Sequence, residues 1–216
     1  MSGSVASSTS KTGAEQETTR AAMADLSDRE LIRKVTNGHP EAFSEIVRRY
    51  QDKIFNAVFR QVGDYNDAHD IVQQAFLNAY RNLKSFKEES NIGTWLYRIA
   101  FNQSVSFFRE RGRKRAVSFN RGASEDGDTS SAYEPETHAD PSAGTARAEL
   151  RDRIQEALQT LDDESRQIVV LREFEGCDYA EIARILQIPI GTVRSKLHRA
   201  RLALKSKLAG LEESRA

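Results

Sequence analysis

The sequence predicts an all-α protein of two small helical domains: an N-terminal helical bundle and a C-terminal four-helix helix-turn-helix domain, joined by a flexible acidic linker. Three observations carry that prediction. Apolar residues recur at helical spacing through two long stretches, and no alternating strand pattern interrupts them. Residues 116–147 between the stretches hold Gly, Ser, Asp, Glu and two of the four prolines, with few apolar side chains. Charge is segregated on either side of that segment.

In chain order, residues 1–24 are rich in Ser, Thr, Ala and Gly and lack an apolar signal core, so they read as a disordered tail. A bundle is expected over 25–115. Ser27 and Glu30 have capping-box spacing, and Leu26 with Leu31 has hydrophobic-staple spacing, so a first helix should start there and end near Asn37-Gly38. Pro40 suits the first turn of a second helix. Its stripe of Ala42, Phe43, Ile46, Val47, Tyr50, Ile54, Phe55, Val58, Phe59 and Val62 runs up to Gly63. A third helix should start near Asp64–Asp67, with Ala68, Ile71, Val72, Ala75, Phe76, Ala79, Tyr80 and Leu83 as its stripe. A polar loop, 85–93, precedes a fourth helix from about Thr94 to Arg113. A second domain is expected over 148–211, with helices near 148–160, 163–174, 179–186 and 190–208, and a short tail over 212–216.

Composition narrows the function. With 32 basic and 32 acidic residues the net charge is zero, which by itself argues against a nucleic-acid binder. Its distribution argues the other way. Between Arg98 and Arg115 six cations (Arg98, Arg109, Arg111, Arg113, Lys114, Arg115) face only Glu110. Between Gly191 and Leu208 six more (Arg194, Lys196, Arg199, Arg201, Lys205, Lys207) face no acid. The linker reverses the sign, and local fields govern the approach of a polyanion. The single cysteine, Cys177, and four scattered histidines form no metal-ligand spacing, so neither metal nor cofactor is expected, and a reducing cytoplasm fits. No apolar run is long enough to span a membrane. Asp67 and Asp70 could suggest an acid pair, but near a helix start they more simply favour the dipole. With no nucleophile motif and no phosphate-cradling loop, an enzyme is not expected.

The most specific segment runs from Tyr179 to Arg201. A short amphipathic helix would bury Ile182, Ala183 and Leu186, a turn follows at 187–190, and Pro189 and Gly191 punctuate the entry to a last helix anchored by Val193 and Leu197. The opposite face would present Arg194, Ser195, His198, Arg199 and Arg201, as a recognition helix in a major groove requires. Arg194 and Arg199 suit guanine edges, Ser195 and His198 weaker contacts, and Thr192, Lys196 and Arg201 phosphates. The plainer reading is a solvated basic helix. Upstream, Trp95, Tyr97, Arg98, Asn102, Arg109, Arg113 and Lys114 combine aromatics with cations, the equipment for stacking unpaired bases. Trp95 divides evenly between packing and stacking.

Two stretches resemble the extracytoplasmic-function (ECF) subfamily of the sigma-70 family of RNA polymerase sigma factors. Asp67-Ala-His-Asp70-Ile-Val-Gln-Gln-Ala-Phe76, Phe86 and Thr94-Trp-Leu-Tyr-Arg-Ile-Ala-Phe-Asn102 look like its region 2. Leu161-Asp-Asp-Glu-Ser-Arg166, Tyr179-Ala-Glu-Ile-Ala183 and Gly191-Thr-Val-Arg-Ser195 look like its region 4. The resemblance implies a transcription initiation factor whose partners are core RNA polymerase (β′ clamp and β subunit), promoter DNA and an anti-sigma factor. It implies that Asp67, Asp70, Ile71, Gln73, Gln74 and Phe76 dock on the β′ clamp. It further implies that the loop 85–93 and the helix after it melt and capture the −10 element, and that the last helix reads the −35 element. Gln74 departs from the family's usual glutamate. An acidic linker could also occupy a nucleic-acid channel of the polymerase, through Glu125, Asp126 and Asp128. The alternative is a classical helix-turn-helix regulator that binds duplex operators without polymerase.

Overall fold

The computed structural model describes residues 23–87, 91–119 and 141–213, and there is no strand among them. The N-terminal half comprises α1 (Asp28–Thr36), α2 (Ala42–Val62), α3 (Tyr65–Asn82), a 3₁₀ turn at Leu83–Ser85, and α4 (Ile92–Phe119). The C-terminal half comprises α5 (Pro141–Gln159), α6 (Asp163–Val169) running on into a π turn at Val170–Phe174, α7 (Tyr179–Leu186) and α8 (Ile190–Glu213). The expected tails, linker carboxylates and part of the polar loop fall on 1–22, 88–90, 120–140 and 214–216, outside the described residues. Within the expected linker, 116–119 are helical as the end of α4, and 141–147 as the start of α5.

The helix starts follow local chemistry. Ser27 caps α1 while Glu30 reaches back to the Ser27 amide at 2.7 Å, the reciprocal box its spacing predicts. Gly63 ends α2 at φ 82°, a left-handed position that favours glycine. Asp64 caps α3 through the Asp67 amide at 2.8 Å. Met23 and Ala24, expected in the tail, belong to the folded half: Met23 is buried, and the Arg49 guanidinium donates to the carbonyls of Ala24 and Leu26 at 2.8 and 2.7 Å.

α2, α3 and α4 pack on one another, with α1 laid across α2. Ile46, Ile54, Ala57 and Val58 of α2, the α3 stripe, and Leu96, Ala100 and Phe101 of α4 form their core. In the second half, Leu158, Ile168, Leu171, Ile182, Ile185, Val193 and Leu197 close a smaller one. Ile185, rather than Leu186, is the fully buried partner of Ile182, because α7 turns that side toward α8. The buried apolar residues of the two halves meet in one continuous cluster.

Polar contacts pin the junction. Arg166, 6% exposed, donates to the carbonyls of Leu158 (2.9 Å), Leu161 (2.8 Å) and, across the junction, Gln61 (2.7 Å). Gln155 donates to the carbonyls of Phe59 and Arg60 at 3.3 Å. The carbonyls of Arg60 and Gln61 at the end of α2 are thus capped from the second half.

Candidate nucleic-acid interfaces

The C-terminal interface is built by α7 and α8. Asp178 and Glu181 form a capping box that fixes the start of α7, with reciprocal bonds of 2.7 and 2.8 Å. Its D-x-x-E spacing was visible in the sequence. Gln187 then adopts a left-handed conformation (φ 57°), the sole non-glycine with positive φ among the described residues, and turns the chain toward α8. The Pro189 carbonyl accepts from Thr192 and Val193, opening α8. Gly191 has no positive φ, and a Cβ there would meet only open space, so the turn is made by Gln187 and Pro189.

Val193, Leu197 and Ala200 bury the inner face of α8, and Arg194, Ser195, His198, Arg199 and Arg201 are exposed on the rest. Two of its cations are engaged at home. Lys196 Nζ lies 2.9 Å from Glu164 and 3.7 Å from Asp162, and the Glu164 hydrogen bond raises its pKa. Arg201 meets Glu173 at 2.6 Å. Both tie α8 to the α6 segment, a role that spacing alone did not reveal.

On α4 the structure separates the candidates. Trp95, Arg98, Asn102, Arg109 and Arg113 lie at intervals of three, four and seven residues along one side of the helix. Arg98, Asn102, Arg109 and Arg113 are exposed, and Trp95 is half-buried edge-to-face against Phe86 at 5.3 Å. Val105, 40% exposed, sits in the same stripe and was missed because an isolated valine reads as core. The Lys114 side chain lies outside the described residues. Tyr97 departs from expectation. It faces the other way, is 8% exposed, and its hydroxyl donates to Glu175 at 2.5 Å. Burial and then that carboxylate push its pKa up, so it remains a donor. Its residue type suggested an exposed ring, but its position on α4 points it at the second half.

α3 also needs correction. Ile71 (3% exposed) and Phe76 (8%) are core residues, since they lie on the side of α3 that packs against α2 and α4. Asp67 is ion-paired to Arg111. Asp70, Gln73 and Gln74 are exposed, and Leu77, 46% exposed, shares their face. A solvent-facing leucine beside Gln73 and Gln74 is the signal that could have nominated it. Among the described residues, no group of three His, Cys, Asp or Glu side chains converges as a metal site would need, and no helix is long and apolar enough to cross a membrane.

Sigma-70 region 2 matches residues 46–114, and Sigma-70, region 4 matches residues 151–204. The RNA polymerase sigma-H factor of Pseudomonas aeruginosa is 38% identical over 188 residues, covering 85% of this chain and 95% of that protein. The ECF RNA polymerase sigma-E factor of Escherichia coli is 38% identical over 186 residues, covering 86% and 96%. Among solved structures, the sigma factor RpoE in complex with the anti-sigma factor NepR, from Bartonella quintana, aligns with a TM-score of 0.63 at 26% identity, over 77% of this chain and 96% of that one. CnrH in complex with the cytosolic domain of CnrY aligns with a TM-score of 0.61 at 26% identity, over 85% and 97%.

Proposed function

Since the chain belongs to the sigma-70 family of RNA polymerase sigma factors, in its ECF group, we propose how its surfaces divide the work of initiation. It is a transcription initiation factor that binds core RNA polymerase and directs it to promoters. Its N-terminal half melts and holds the −10 element through the α4 stripe of Trp95, Arg98, Asn102, Arg109 and Arg113, joined by Val105. Its C-terminal half reads the −35 duplex through Arg194, Ser195, His198 and Arg199, with Thr192 on the backbone and Lys196 and Arg201 steadying the helix. Asp70, Gln73, Gln74 and Leu77 dock on the β′ clamp. An anti-sigma partner, of the kind held by the Bartonella structure, silences it in the cytoplasm. The factor itself performs no catalysis.

The carrying observation is the exposed stripe on α4, which pairs cations with a half-buried tryptophan over several turns. Such a surface can stack unpaired bases while neutralising their phosphates. An operator-binding regulator has no need of it, and the relatives above are sigma factors.

Run-off transcription with added core enzyme tests the division. Arg109→Ala should leave binding to a closed −35 duplex unchanged and reduce open-complex formation. Arg194→Ala or Arg199→Ala should cost about 1–3 kcal/mol at one or two −35 positions. If either arginine variant weakens all sequences equally, that residue holds a phosphate instead. No specific initiation with added core enzyme sinks the assignment.

A further inference from the structure

The end of the π turn and the residue after it offer α2 and α4 an aromatic ring and an anion together. The Arg60 guanidinium lies 4.4 Å over the Phe174 ring. The Glu175 carboxylate receives the Tyr97 hydroxyl at 2.5 Å and lies 3.8 Å from Arg60. Beside them is a cavity of about 500 Å³ whose N-terminal wall includes Tyr50, Lys53, Asn56 and Thr94. That wall therefore carries two cations, two phenols and amide donors, and part of it is filled by a ring stacked on a guanidinium and a carboxylate on a phenol. A nucleotide of a single strand presents the same pair of groups, a π face and an anionic oxygen.

We propose that Phe174 and Glu175 form an intramolecular plug that competes with single-stranded nucleic acid for the wall formed by Lys53, Arg60 and Tyr97. The plug belongs to the duplex-reading half, so seating it couples the halves: the second half must draw back before the wall can take a strand. This extends the −10 assignment, on which it rests, by adding a second strand-binding wall beside the exposed α4 stripe. The geometry suits reversibility. The plug is a five-residue π turn and the loop after it, with Glu175 bonded to the Val170 carbonyl and Gly176 at φ 71°, and the wall next to it is open. Removing the plug uncovers the wall in every molecule, which raises apparent affinity by the reciprocal of the fraction that was already uncovered.

The test uses the full chain and a fluorescein-labelled, mixed-sequence single-stranded DNA oligonucleotide, read by anisotropy, with small-angle X-ray scattering of the free protein. Glu175→Ala should tighten binding about tenfold, the equivalent of one lost charge-assisted hydrogen bond, and enlarge the radius of gyration. Phe174→Ala should act in the same direction, and Glu175→Gln, which keeps an acceptor, should fall between. The gain should vanish when Arg60→Ala is added, since the wall itself is then impaired. Unchanged or weaker binding in both Glu175→Ala and Phe174→Ala, with melting temperatures intact, overturns the plug. Arg109→Ala separates that failure from failure of the −10 assignment. If it weakens the oligonucleotide while the plug variants do nothing, the exposed stripe binds strands and the plug does not exist. If no variant, Arg109→Ala included, differs from the parent, both ideas fall.

Discussion

Glu45 is nearly out of water and is held by Arg48 at 2.7 Å and Arg49 at 2.8 Å. The Arg48 hydrogen bond, then that of Arg49, outweigh burial and bring its pKa down to about 2 from an ordinary 4.5. A carboxylate whose folded value is depressed stabilises the fold above its unfolded value and loses that contribution as pH falls. Its share is therefore complete above pH 4.5 and gone near pH 2. Glu45→Gln should cost about 1–2 kcal/mol at neutral pH, the exposed side of Arg48 limiting the figure, and almost nothing near pH 2. Urea melts of both proteins across that range check it, and parallel curves would remove Glu45 from the acid sensitivity. The same cluster continues through Arg49 to Asp28, where the Tyr50 hydroxyl donates at 2.6 Å, so one buried carboxylate organises the approach of α1 to α2.

At the scale of an element, α3 shows what periodicity can and cannot tell. Its start near Asp64 and most of its apolar stripe were legible, because caps and period are local properties of the chain; Tyr80, expected in that stripe, is 42% exposed. The resemblance added a set of docking residues but could not rotate the helix, and it mixed Ile71 and Phe76 of the inner side with Asp70, Gln73 and Gln74 of the outer. Phe76→Ala should accordingly cost about 3–5 kcal/mol of stability, whereas Leu77→Asp should reduce capture of core polymerase with the melting temperature nearly unchanged. Denaturation paired with a core-polymerase pull-down separates the two. Equal loss of stability in both variants would return Leu77 to the core. The π turn at Val170–Phe174 was illegible for a different reason. Residues 163–174 read as one helix, whereas the wider turn packs against α2 and leads to the Tyr97–Glu175 bond, partners far away in sequence. α8 gave up its buried anchors Val193 and Leu197 to spacing alone, but its ion pairs to α6 depend on tertiary packing.

For the whole molecule, the junction makes the two halves thermodynamically dependent. Arg166 is the central pin, and replacing it with methionine keeps much of its volume while stripping partners from the carbonyls of Leu158, Leu161 and Gln61. Arg166→Met should cost about 2–4 kcal/mol and split a single calorimetric transition into two. A single, equally cooperative transition would show that apolar contact alone couples the halves. Folding also pairs charges that lie apart along the neutral chain. Glu164, Asp162 and Glu173, distant in sequence from α8, come to rest on Lys196 and Arg201. Cations already paired within the protein neutralise fewer phosphates and so release fewer of the counterions condensed on DNA. With Arg194 and Arg199 at base edges, phosphate contacts by Lys196, Arg201, Lys205 and Lys207 would make the logarithm of affinity fall against the logarithm of salt with a slope of about −3.6, whereas Lys205 and Lys207 alone give about −1.8. The folded protein should thus hold its −35 duplex through a rise in ionic strength that would strip it from an isolated peptide of the same helix.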